Sequence, residues 1–191
     1  MDWKLILQIV GVCLGLLYLW LEYRANIWLW VVGIVMPIVH GVLYYKSGLY
    51  ADMAMNVYYV AAGLYGWLVW HNRPRKSSRE YPVSRTPGRT VPWLVVVCAA
   101  VYALIAFVLV RFTDSTVPYW DAFTTALSVV AMWMLSRKYV EQWLVWLVVD
   151  VVSCGLYIYK EIPFTAGLYA LYSVLAVAGY LRWLKMLRSE R

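Results

Sequence analysis

The stretch WLVWLVVDVV, residues 143–152, sets a carboxylate, Asp150, in an otherwise apolar run. Read as a helix, it carries Trp143, Trp146 and Asp150 at i, i+3 and i+7, on one face. Two indoles beside a carboxylate suit a flat organic cation. Each ring face attracts the charge by about 0.5–2 kcal/mol, and the carboxylate balances it. A bare metal ion would need several oxygen ligands instead. A proton has a use for the carboxylate but none for the indoles. The competing reading of Asp150 is structural: a hydrogen-bonded or protonated carboxylate, or one at a contact between subunits. In either case it costs about 2.5–3.5 kcal/mol at the centre of a bilayer, so it has to meet something.

The bilayer enters because of the composition. Of 191 residues 64% are hydrophobic and 14% charged, against about 25% charged in a soluble domain. Seven apolar segments can be marked, at 4–21, 27–45, 50–70, 91–111, 119–136, 140–160 and 164–184. Each is close to the roughly 20 residues a helix needs to cross a membrane. The expected fold is therefore an all-α integral membrane protein of seven transmembrane helices. The start, MDWKLILQIV, lacks a basic region and a small-residue cleavage site, and reads as helix. The basic stretch 71–90, HNRPRKSSREYPVSRTPGRT, reads as an exposed connector.

Seven spans sort the Lys and Arg residues thirteen to four between the two sides. The positive-inside bias then puts the N-terminus outside and the C-terminus in the cytoplasm. It also explains the net charge of +7 without nucleic-acid binding. The absence of HExxH, GxSxG and GxxxxGK patterns leaves hydrolase, zinc and ATP-driven mechanisms unsupported. No metal and no cofactor is expected. Cys13, Cys98 and Cys154 fall inside apolar runs without CxxC spacing, and read as small packing residues.

Other polar residues also fall on faces. The third span has Asp52, Asn56, Tyr59 and Gly63; the fifth has Asp121, Thr125 and Ser128; the first has Gln8, Gly11, Gly15, Tyr18 and Glu22. Asp52 and Asp121 lie near helix starts, where a carboxylate complements the helix dipole. The second span holds MPIVH, with Pro37 and, within a turn, His40, which reads either as a solute ligand or as a packing histidine. No Lys or Arg lies deep in a span to pair with Asp150.

An internal echo is visible. Gly41, Tyr45 and Lys46 match Gly155, Tyr159 and Lys160 at a spacing of 114, GLYA recurs at 48–51 and 167–170, and Trp67 and Trp183 stand near the ends of the spans that follow. Two parallel three-helix repeats, 4–70 and 119–184, are expected, linked by a helix at 91–111. Parallel repeats place a transported solute between them near the midplane.

Two blocks, GLYADMAMNVYYVAAGLYGWLVW (48–70) and DAFTTALSVVAMWMLSRKYVEQWLVWLVVDVVSCGLYIYK (121–160), resemble the PnuC-type vitamin transporter family, whose named substrate is nicotinamide riboside. The likeness runs from about Trp20 onward. It implies a 3+1+3 arrangement similar to SWEET sugar transporters, often a homotrimer, and facilitated diffusion with a cytoplasmic kinase trapping the vitamin. The family's Trp-rich motif falls on Trp143 and Trp146, and its final polar residue, often Asn, on Asp150. An amide position, often Gln, falls on Asn56, with Tyr59 one turn on. A Gln common in the fifth helix is Met132 here. These departures suit thiamine, a flat cation without a ribose, as well as nicotinamide riboside. The expected substrate-binding set is Trp143, Trp146, Asp150, Asn56, Tyr59, Thr125, Ser128 and His40. The expected function is passive uptake across the bacterial inner membrane. Proton-coupled transport and a non-transporting receptor or scaffold are the rivals.

Overall fold

A computed structural model describes the backbone of residues 3–46, 50–72 and 82–189. Side chains are described for 13–35, 37–38, 56–72, 82–163 and 165–189. Seven helices follow in order: α1 (Trp3–Tyr23), α2 (Trp28–Lys46), α3 (Tyr50–Asn72), α4 (Val91–Phe112), α5 (Pro118–Ser136), α6 (Gln142–Tyr159) and α7 (Pro163–Ser189). They match the seven apolar segments to within a few residues. Among the described residues, α4, α6 and Thr165–Ser189 are each long and apolar enough to cross a membrane. Pro118 and Pro163 open α5 and α7, where a missing N–H costs nothing. Pro37 lies inside α2, which continues through it.

The chain forms two compact units, Met1–Tyr81 and Pro82–Arg191. In the first, α2 packs against both α1 and α3; in the second, α5 packs against α4 and α6, and α6 packs against α7. Only Ala106 of α4 is buried. A helix this apolar and this little buried is suited to lipid on the faces that α5 leaves open. Trp28, Trp93 and Trp120, near helix starts, and Trp20, near the end of α1, are exposed as interface anchors would be. Cys13 is exposed rather than packed, while Cys98 and Cys154 are half-buried.

The same local geometry recurs in the two units, at a constant spacing of 113 residues. Helix α1 ends with Ala25 at φ 51°, its N–H bonded to Glu22 O and that of Asn26 to Leu21 O. Helix α5 ends with Lys138 at φ 52°, its N–H bonded to Leu135 O and that of Tyr139 to Met134 O. Both are Schellman turns with a non-glycine residue in the left-handed region. The guanidinium of Arg24 lies 4.8 Å from the Trp20 ring, and that of Arg137 lies 5.3 Å from the Trp133 ring. Trp30 meets Trp70 edge-on at 5.5 Å and covers Gly66; Trp143 meets Trp183 edge-on at 5.8 Å and covers Gly179. These features share a spacing of 113, one less than the 114 of the Gly, Tyr and Lys matches, and at 113 Trp183 aligns with Trp70 rather than with Trp67.

In the second unit the connector ahead of α4 is strapped to the α5–α6 turn. Ser84 donates its N–H to Lys138 O (3.0 Å) and accepts from Val140 N (2.9 Å). Thr86 donates both its backbone N–H and its hydroxyl to Glu141 Oε2, each at 2.8 Å. Val83 is buried beneath the strap. Hydrogen bonds to a charged acceptor contribute about 1.5–3 kcal/mol. Glu141→Ala should therefore loosen the strap and speed tryptic cleavage at the exposed Arg85 and Arg89. Unchanged digestion of the folded variant would show that these bonds do not hold it.

Candidate solute-binding site

The buried face of α6 carries Trp143, Val149, Asp150 and Ser153, with Trp146 half-buried on the intervening turn. Asp150 is only 7% exposed, so it faces protein rather than lipid. No described residue donates a hydrogen bond or an ion pair to it. Tyr172 of α7 stands level with Asp150, by the register that sets Trp143 on Gly179.

The two indoles differ. Trp143 is 2% exposed and pressed onto Gly179, with Trp183 across its edge. Its ring faces are committed to the α6–α7 seam. Trp146 keeps part of its surface open, and its indole N–H is buried with no hydrogen-bond partner among the described residues. Leaving such a donor unpaired costs about 1–3 kcal/mol. An acceptor supplied by a solute would recover that cost.

On α5, the Thr125 hydroxyl donates to Asp121 O at 2.7 Å and the Ser128 hydroxyl to Thr124 O at 2.8 Å. Both protons are thereby committed to the helix backbone, so these two groups can offer a solute only acceptor lone pairs. Asp121 sits in the first turn of α5, as the dipole argument expects. It is also held by Lys160 at 3.3 Å and by the Ser115 hydroxyl at 2.8 Å. This joins the start of α5 to the end of α6.

In the first unit, Asn56 and Tyr59 are half-buried on α3, with Tyr59 5.5 Å from the Tyr58 ring. At the spacing of 113 their counterparts on α7 are Tyr169 and Tyr172. His40 lies on α2, but its side chain, like that of Asp52, is outside the described residues. Met132 is half-buried on α5. Among the described residues, no group of three or more His, Cys, Asp or Glu side chains comes together.

Sequence reasoning did not single out Tyr172, Gly179 or Ser153. The signal lay in the α7 stripe Tyr169, Tyr172, Ala176, Gly179 and Trp183, spaced three and four residues apart along one face. It also lay in the pairing of Tyr172 with Tyr59 across the two units' sequences.

Comparison with known proteins gives a consistent picture. A family model described as "Nicotinamide mononucleotide transporter" matches residues 5–185. The nicotinamide riboside transporter PnuC of Escherichia coli (strain K12) is 24% identical over 96% of this chain and 87% of its own. The riboflavin/roseoflavin transporter RibM of Streptomyces davaonensis is 30% identical over 96% of this chain and 86% of its own. A crystal structure of the vitamin B3 transporter PnuC superposes with a TM-score of 0.70 at 22% identity, covering 93% of this chain and 80% of that one. Matched along nearly its whole length, and folded as seven helices of which several can span a bilayer, the chain belongs to the nicotinamide mononucleotide transporter (PnuC) family and is a multi-pass membrane transporter rather than an enzyme.

Proposed function

We propose that the chain carries a flat, positively charged vitamin precursor across the bacterial inner membrane by facilitated diffusion, with nicotinamide riboside the first candidate and thiamine the second. One observation carries this reading. Asp150 is almost closed off from solvent and has no described partner, and one turn away the Trp146 indole N–H has none either. A bound solute answers both. Its ring lies on Trp146, its charge faces Asp150, and one of its oxygens accepts the indole hydrogen. Its hydroxyl or amide donors meet the lone pairs of Thr125 and Ser128. Asn56 and Tyr59 are proposed to hydrogen-bond the solute's polar groups, and His40 remains a candidate ligand.

The recurrence at a spacing of 113 supports two parallel three-helix repeats with α4 as the link, the 3+1+3 arrangement. Residues 82–90 of the connector and the α5–α6 turn, strapped together, lie at one end of the second unit and carry Arg85, Arg89, Arg137 and Lys138, which supports the sorting of positive charge. With the positive side in the cytoplasm, a kinase there would trap the imported solute.

A second reading has its own support. The relative at 30% identity is named for riboflavin, a flat but uncharged solute. It would use Trp146 and the hydroxyls and leave Asp150 without a role. Flux into proteoliposomes separates these readings. The expected result is saturable entry of nicotinamide riboside that an imposed pH gradient does not drive. Entry of riboflavin alone would favour the second reading, entry that follows the pH gradient would favour proton coupling, and binding without flux would overturn transport.

A further inference from the structure

The α6–α7 seam beside and beyond Asp150 holds three phenols, none of which the reading above uses. Tyr157 lies seven residues past Asp150 on the same face of α6, about 10 Å along the axis by helix rise. Its ring stacks on that of Tyr169 of α7, with centroids 5.2 Å apart and planes at 17°. Tyr169 meets Tyr172 edge-on at 5.8 Å. Trp143 covers Gly179 of α7, so seven residues along the two oppositely running helices Tyr172 stands level with Asp150. All three are half-buried. A continuous series of rings therefore leads from near the C-terminal end of α6 to the carboxylate. Both ring-to-ring steps are within the roughly 6 Å over which a ring face attracts a cation.

The ordinary role for tyrosines near a helix end is anchoring at the membrane interface. Tyr159 fits that role, being exposed. Tyr157 does not, because it turns into the seam and pairs with Tyr169. Lys160, at the same end of α6, is held at 3.3 Å by Asp121, which offsets the repulsion it would exert on an approaching cation.

We infer that Tyr157 and Tyr169 form a second subsite for the flat organic cation, one that passes it by way of Tyr172 to and from Asp150. A ring entering between the stacked pair would widen it to about 7 Å, still within aromatic contact. This rests on the cationic-solute reading proposed above. It assigns the tyrosine pair to the rate of passage and Asp150 to equilibrium affinity.

The test uses the full chain in proteoliposomes, with nicotinamide riboside and its uncharged dihydro form as probes. Tyr157→Leu is expected to lower initial uptake of the cation about five- to tenfold, a size consistent with one lost cation–π contact. Uptake of the dihydro form and equilibrium binding of the cation should change less than threefold. Tyr157→Phe should keep most of the uptake, because the ring face remains. Trifluorophenylalanine at 157, which keeps the shape but weakens the face, should fall between, and it serves if the leucine variant does not fold. Equal losses for charged and uncharged probes, or no loss, would overturn the subsite. If Asp150→Asn discriminates the two probes and Tyr157→Leu does not, only the subsite is lost. If Asp150→Asn fails to discriminate them, the cationic-solute reading falls with it.

Discussion

Gly179→Ala is expected to be among the most damaging single-methyl additions in this protein. A Cβ at 179 would sit 2.6–2.7 Å from three atoms of the Trp143 ring. That ring is 2% exposed and has Trp183 at its edge, so it has no open direction in which to retreat. Overpacking of this kind costs about 1–3 kcal/mol. It would also push α6 away from α7 close to Trp146 and Asp150, so solute binding should weaken together with thermal stability. Gly66→Ala should do the same to the first unit, where the Trp30 ring covers the glycine. The controls are Gly155→Ala and Gly167→Ala, where a Cβ meets no atom of the described residues within 4 Å. There the helix should gain up to about 1 kcal/mol, because alanine restricts the unfolded chain and glycine does not. Unfolding temperatures in detergent check the opposite signs. In the Gly179→Ala background, Trp143→Phe should recover part of the loss, as expected for two residues in direct contact. Equal behaviour at positions 155 and 179 would mean that the indole-on-glycine contact does not organise the seam.

How much of this was legible in the sequence depends on what each feature needs. The helices were legible because a bilayer demands about 20 apolar residues per crossing, whatever their order. Only α7 ran well past its expected end, to Ser189 rather than 184, since RWLKMLRS keeps a helix-forming composition after its hydropathy falls. That Asp150 faces protein rather than lipid was legible, because a charge inside a span is costly and rare. The difference between Trp143 and Trp146 was not. It is decided by Gly179 on another helix, and a glycine marks a close approach without saying which ring fills it. The two-repeat organisation is part of the proposal, and the echo that suggests it in the sequence did not give the spacing of the recurring turns and contacts. Matches among Gly, Tyr and Lys pointed to 114, whereas two helix-ending turns and two indole–glycine contacts agree on 113. That shift of one matters, because it aligns Asn56 and Tyr59 with Tyr169 and Tyr172.

The second large effect is expected at the carboxylate. Asp150→Asn keeps the shape of the side chain and removes its charge. At an effective dielectric of about 20 and a separation of roughly 5 Å, attraction between unit charges is about 3 kcal/mol. The solute's own desolvation cancels part of this. A net loss of about 1.5–3 kcal/mol is expected, or roughly ten- to more than a hundredfold in affinity for the cation. The variant should fold at least as well as the parent, since an amide is easier than a carboxylate to leave 7% exposed without a described partner. Low uptake by Asp150→Asn therefore cannot be ascribed to unfolding.

The most direct measurement is calorimetric titration of purified parent and Asp150→Asn protein with nicotinamide riboside and with its uncharged dihydro form. Recognition of a positive solute by a carboxylate within the helix bundle predicts that the substitution weakens the charged ligand at least tenfold more than the uncharged one. Parallel losses for both, or no loss for the charged one, would contradict it.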